Sequence, residues 1–265
     1  MSNEKSKLTQ SRGAAEPAGQ GTGRSGVEGP GVSGPVAVPP FFRPIDWLTM
    51  AITTAAVLLG YCLTLAPDLT LQDAGELAVG SYYAGVPHPP GYPVWTILTW
   101  LFTVLLPFSN ICWRVAVSSA VFGALSAGLV ALMVSRGGSM IMEGIEALQR
   151  IPRRQENGIC LVSGFVGGNL LAFNGFFWSQ CVIVEVYPLS VLSLMGVLVC
   201  LMRWLYAPHQ KRYLYWGAFL FGICFTNHQT LIVAAMGIEV LILAVEPRYG
   251  RDLFCVNALV YVLGL

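Results

Sequence analysis

Residues 93–107 read PVWTILTWLFTVLLP. Whether this run crosses a lipid bilayer decides the side on which every later loop falls. A bilayer core of about 30 Å takes about 20 helical residues. The run is bracketed by Pro93 and Pro107, and at 1.5 Å per residue it reaches only roughly 22 Å. It is therefore predicted to lie at the interface or to dip in and return.

Outward from this run, apolar stretches occupy 47–66, 115–135, 159–177, 186–202, 213–225, 229–245 and 253–265. They predict an all-α polytopic membrane protein of about seven spans, the last one cut short. Basic residues collect in cytoplasmic loops. With 93–107 not spanning, fourteen of the fifteen Lys and Arg residues fall on one side. With it spanning, Arg136, Arg150, Arg153 and Arg154 would all change sides. The first topology is preferred, and the basic segment 136–157 then reads as an orientation signal on a solvated helix.

Composition agrees with a lipid environment. Charged residues make up 11% of the 265, hydrophobic residues 55%, and mean hydropathy is +0.63; soluble domains carry about 25% charge. The net charge of +1 gives no field for polyanions and excludes nucleic acid as a partner. Seven cysteines show no CxxC or Cys/His metal spacing and read as small hydrophobes. Residues 1–44 are rich in Gly, Pro, Ser and Glu and predict a disordered cytoplasmic tail. Residues 45–265 form the transmembrane module, which ends inside an apolar run and is expected to be truncated there.

The few charges on the outer side stand out. Arg114 is the single basic residue there, facing Asp68, Asp73, Glu76 and Glu185. Asp73 and Glu76 sit in LTLQDAGELAVGSYYAGVPHPPGYP, residues 69–93. Their i,i+3 spacing puts them on one helix face. A solvated acidic turn is the plain alternative, but the rigid proline loop beyond, with His88 and Tyr92, can hold a carboxylate over a membrane mouth. Glu185, in WSQCVIVEVYP (178–188), lies at a lipid boundary, where a carboxylate needs a partner or a wet cleft. Trp178 and Tyr187 beside it read as interfacial anchors. Asn227 and His228, in FTNHQT (225–230), form a polar hinge, or simply a tight turn. Glu239 lies deep in an apolar run without an assigned partner, and Gly164-x-x-x-Gly168 is a helix-packing signal.

The ordered set QDAGEL, GVPHPPGYP, RVAVSSAVFGAL, FWSQCVIVEVYPL and TNHQT resembles a family of polytopic proteins whose animal member is a transmembrane protein O-mannosyltransferase. The family looks like part of the GT-C superfamily of lipid-phosphate-sugar-dependent glycosyltransferases. The resemblance implies a GT-C-like bundle with a juxtamembrane first outer loop. It also implies transfer of a sugar, mannose in the family, from a polyprenyl-phosphate donor to a protein Ser/Thr or glycan acceptor on the non-cytosolic face. Asp73 takes the place of the family's acidic active-site residue, with Glu76 beside it, and Glu185 occupies the second acidic place. In that mechanism Asp73 is the general base and Glu76 or Glu185 the electrostatic helper. Arg114 stabilises the leaving phosphate, and His88, Tyr92, Asn227 and His228 contact substrate. No cofactor is required, although three carboxylates could hold a divalent metal. The bacterial plasma membrane is favoured over the endoplasmic reticulum. A multi-pass transporter, suggested by Glu239 and the break at 226–229, and a non-catalytic membrane subunit are the competing readings.

Overall fold

The computed structural model describes residues 40–264, and the predicted tail lies almost wholly outside them. Its last residues do not: Phe41 is buried, so the packed chain begins ahead of the boundary expected at 44. Among the described residues the protein is entirely helical.

Local sequence sets each start. Helix α1 (Pro44–Thr64) opens with proline in its first turn, and the Asp46 carboxylate accepts the Arg43 backbone N–H at 2.8 Å. Helices α2 (Ala74–Tyr82) and α3 (Pro93–Leu105) follow. Asn110 caps α4 (Ile111–Gly144), its Oδ1 accepting from the Trp113 N–H at 2.7 Å. Helix α5 (Arg153–Ala172) bends by 73° into the short α6 (Gly175–Cys181). Helices α7 (Tyr187–Tyr206), α8 (Arg212–Asn227), α9 (Val233–Val245) and α10 (Pro247–Gly264) complete the chain, with a 3-10 turn at Gln229–Ile232.

The helices are apolar on the outside. Helix α1 buries Asp46, Thr49, Thr53, Val57 and Tyr61 while exposing Trp47, Leu48, Ile52, Leu59 and Leu63. Helix α3 buries Thr96, Thr99 and Thr103, each hydroxyl donating to a carbonyl three or four residues back, and exposes Ile97, Leu101, Val104 and Leu105. In water this would be inside out. In lipid it is correct, because polar groups must find partners within the protein and no hydrophobic force draws the helices together. Packing is left to small residues. Gly164 and Gly168 of α5 meet α1 and α4: a Cβ at Gly168 would lie 2.6 Å from Thr53 Cγ2 and 2.7 Å from the Ala127 carbonyl oxygen. The GxxxG reading is thereby located on a three-helix seam.

This is an integral membrane protein. Three helices, α1, α4 and α7, are long and apolar enough to cross a bilayer, or four if the bent pair α5–α6 is one span. The expected seven are not reached by length. Helix α8 has 16 residues, about 24 Å, and the next apolar stretch is interrupted at His228 and Glu246. Helix α3, with 13 residues, is also too short, in line with its non-spanning reading. Hydropathy sums residues but does not register where a helix stops.

The segment 136–157 departs from the solvated helix expected of it. Helix α4 runs into it as far as Gly144 and α5 begins in it at Arg153, and Arg136, Ser139 and Glu156 are buried. Arg43 bridges Asp46 and Glu156 at 3.1 and 2.5 Å. Ser135 donates to Asp46 at 2.6 Å and Ser139 to Glu156 at 2.9 Å. This network ties the start of α1 to α4 and α5.

Candidate active site

Chain segments far apart in sequence meet at the end of the bundle where α1 stops and α7 begins. The Ala66 N–H donates to the Val182 carbonyl at 2.8 Å, joining the loops after α1 and α6. The Trp95 indole of α3 and the Ser119 hydroxyl of α4 both donate to the Glu185 carbonyl, each at 3.2 Å. Glu185 is thus held by its backbone from two helices before its side chain does anything.

Beside it opens a cavity of about 580 Å³, within the size range of small-molecule sites. One wall carries Gln72, Asp73 and Leu77 from the start of α2. The next carries His88 and Tyr92 from the proline loop, and the far side Gln180, Glu185, Tyr187 and His228. Of the sequence candidates, Asp73, His88, Tyr92, Glu185 and His228 therefore share one cavity.

Backbone geometry presents these groups. Tyr92 is the residue preceding α3 and has φ +42°, a left-handed conformation that costs a non-glycine residue of order 1 kcal/mol. Gln72 has φ +69°. Gly91, at φ +88°, could not carry a side chain, since its Cβ would lie 2.9 Å from Val86 Cγ1. The turn that aims Tyr92 inward thus depends on glycine just before it.

The two cavity carboxylates differ in environment. Asp73 is exposed at the lip. Glu185 is 6% exposed, and its Oε1 accepts the Val186 N–H at 2.8 Å. Burial pushes the Glu185 carboxyl above the ordinary carboxylate range; the Val186 N–H opposes the rise and the Asp73 charge adds to it. Glu76 is exposed and sits outside the cavity lining. Its two oxygens take the His88 backbone N–H at 2.7 Å and the His88 Nδ1 at 3.1 Å. These bonds hold the Glu76 carboxyl below its usual value. Across the imidazole, His88 Nε2 lies 3.2 Å from the Tyr92 hydroxyl.

Arg114 is not in the cavity. Its Nε, Nη1 and Nη2 donate to the carbonyls of Phe108, Thr103 and Ser109, all at 3.0 Å. The guanidinium closes the α3–α4 connection, so the lone outer cation of the sequence has a structural task. Asn227 lies behind the wall, fully buried, with its Nδ2 donating to Ser193 at 3.3 Å. Glu239 accepts from Asn257 in a separate apolar cavity of about 610 Å³ among α7, α8, α9 and α10. Among the described residues no three His, Cys, Asp or Glu side chains converge closely enough to hold a metal ion.

Gln180 and Gln72 gave no sequence signal. Gln180 is 8% exposed and its Oε1 has no partner among the described residues. Tyr187, read as an anchor, faces the cavity with its ring 5.1 Å from that of His228. The indication for both lay in their neighbourhood of Glu185.

The family model described as the N-terminal domain of protein O-mannosyl-transferase TMEM260 matches residues 73–250. A mouse protein named protein O-mannosyl-transferase TMEM260 is 29% identical over 182 residues, covering 68% of this chain and 23% of the mouse protein. A Dictyostelium discoideum protein of the same name is 34% identical over 76 residues, covering 28% of this chain and 9% of that protein. The chain thus spans less than a quarter of the curated relatives it matches. No solved structure matches it.

Proposed function

This chain belongs to the family of the protein O-mannosyl-transferase TMEM260 N-terminal domain, and from that membership and the chemistry of its cavity we propose that it transfers mannose from a polyprenyl-phosphate donor to a Ser or Thr hydroxyl. The observation that carries the proposal is the pairing of an exposed carboxylate, Asp73, with a buried one, Glu185, across one cavity. Acid–base catalysis of glycosyl transfer asks for two carboxyl groups whose environments push them apart.

In the proposed reaction Asp73 takes the proton of the acceptor hydroxyl as its oxygen bonds to the sugar C1. The C1–O bond to phosphate breaks, and the polyprenyl phosphate leaves with the electron pair. Glu185, held toward its neutral form, donates a hydrogen bond inside the cavity. Gln180 Oε1, a buried acceptor without a partner, suits a sugar hydroxyl, because leaving such an atom unpaired costs about 1–3 kcal/mol. Tyr187 and His228 offer ring faces to the sugar. The bundle is proposed to be GT-C-like with seven spans and its cavity on the non-cytosolic face. The relatives come from an animal and from Dictyostelium, so the endoplasmic reticulum replaces the bacterial plasma membrane as the proposed location.

The test supplies the chain, in nanodiscs, with polyprenyl-phosphate mannose and a Ser/Thr peptide, and reads products by mass spectrometry. Asp73→Asn is expected to lower the rate by at least about 10²-fold. Equal rates for the variant and the parent would remove Asp73 from the base role, and absence of transfer by the parent with any lipid-phosphate sugar would overturn the activity.

A further inference from the structure

The proposed reaction leaves a phosphate monoester, and the cavity must meet its charge without Arg114. Among the described residues lining the cavity there is no Lys or Arg. The side chains there that can become positive are His88 and His228. His88 differs from His228 in being held at both ring nitrogens, by Glu76 at 3.1 Å and by the Tyr92 hydroxyl at 3.2 Å.

The bonding fixes the roles. The Glu76 carboxylate can only accept, so His88 Nδ1 carries a proton. In the neutral imidazole Nε2 is then an acceptor, and the Tyr92 O–H points back at it. Once His88 is doubly protonated, Nε2 donates to the Tyr92 oxygen. The phenolic proton must then turn away from His88, toward the cavity that Tyr92 lines. One proton on the ring therefore converts Tyr92 from an acceptor facing the ligand into a donor. Burial, then the neighbouring groups Glu185, Tyr187, Asp73 and Glu76, push ionisation of the Tyr92 hydroxyl upward, so the hydroxyl keeps its proton in either state of His88.

We infer that Glu76, His88 and Tyr92 form a hydrogen-bonded relay that presents the Tyr92 hydroxyl as a donor to the phosphate oxygen of the leaving group. Tyr92 touches the substrate; His88 and Glu76 are positioning residues acting through it. The relay sets a donor against the anionic surroundings that Asp73 creates, with Glu76 balancing the charge when His88 is doubly protonated. The inference rests on the phosphate-donor reading above.

Two measurements test it, one of them independent of turnover. The first is binding of farnesyl phosphate to nanodisc-held protein, followed by calorimetry between pH 5.5 and 8.5. Affinity is expected to be higher at pH 5.5 than at pH 8.5. Tyr92→Phe should bind about 10-fold more weakly at low pH and lose that dependence. Glu76→Gln, which removes the carboxylate holding His88 Nδ1, should weaken binding at pH 5.5. His228→Gln should leave the difference between the two pH values in place. The second is the kcat profile for mannosyl transfer, where Tyr92→Phe should lose about 10–100-fold and Glu76→Gln/Tyr92→Phe should be no slower than Tyr92→Phe alone. Farnesyl phosphate affinity unchanged within twofold in Tyr92→Phe overturns the relay, whatever the transfer assay gives. Tyr92-dependent binding without transfer supports the relay and counts against the transferase reading alone. A pH dependence that vanishes in His228→Gln, and not in Tyr92→Phe, also overturns it.

Discussion

Replacing Gly168 by alanine should loosen the three-helix seam, and a second glycine of the same helix provides the scale. At Gly168 the new methyl would meet Thr53 Cγ2 at 2.6 Å and the Ala127 carbonyl oxygen at 2.7 Å. Ordinary contact begins near 3.5 Å, so α5 must retreat by about 0.8 Å. Neither neighbour yields easily. One is backbone, and the Thr53 rotamer is fixed by its hydroxyl bond to the Thr49 carbonyl at 2.8 Å. Overpacking of this kind costs about 1–3 kcal/mol, and the gain in helix propensity over glycine offsets at most about 1 kcal/mol. A net loss of about 1–2 kcal/mol remains. Gly158, exposed on α5, would meet nothing within 4 Å. Gly158→Ala should therefore stabilise by about 0.5–1 kcal/mol. The two variants should differ by about 2 kcal/mol, or about 4–8 °C in melting temperature for a chain of this size. Tryptophan-fluorescence melts in one detergent read this directly. Gly168→Ala melting level with Gly158→Ala would refute the backbone contact between α5, α1 and α4.

Further outcomes follow from the same structure. Arg114→Gln should lower the melting temperature by the equivalent of about 2 kcal/mol through three lost carbonyl bonds, while calorimetry shows farnesyl phosphate affinity within twofold of the parent; a larger affinity loss would return Arg114 to the site. Asp46→Ala should cost about 3 kcal/mol by removing the buried carboxylate that accepts from both Arg43 and Ser135, against about 1 kcal/mol for Ser135→Ala, compared by denaturant midpoints in detergent. The folded pKa of Glu185 is raised, so its contribution to stability is fully present below the ordinary glutamate value of about 4.3 and is lost as pH rises through the folded value. Glu185→Gln should flatten that decline, which melts at pH 4 to 8 will register; parallel declines in the two proteins would exclude Glu185 as its source.

Much of the architecture was legible because lipid imposes strict local rules. Pro93 and Pro107 bracket a helix too short to cross. Gly164 and Gly168 announced a close approach that the seam bears out. The span count was less legible. Apolar composition runs straight through His228 and Glu246, while the helices stop there because the backbone turns, which no hydropathy window registers. Glu156 was hidden among arginines and looked solvated; its burial depends on Arg43 reaching it from another helix. Asp73, His88, Tyr92 and Glu185 could be singled out by chemistry, but their convergence depends on Trp95 and Ser119 pinning the Glu185 backbone. Arg114 misled for an instructive reason. An isolated cation on an acidic side invites a ligand, yet a guanidinium equally suits the carbonyls left over where α3 ends and α4 begins, and sequence carries no record of which carbonyls are spare.

The cavity walls also have an order in time. Asp73 leaves the ribosome early, Glu185 much later, and His228 after α7 and α8 have been made. Before α8 has been made, the cavity lacks the wall that His228 supplies. Enclosure of a ligand is therefore among the last properties this region acquires during synthesis, well after the residues that would act on the ligand are in place.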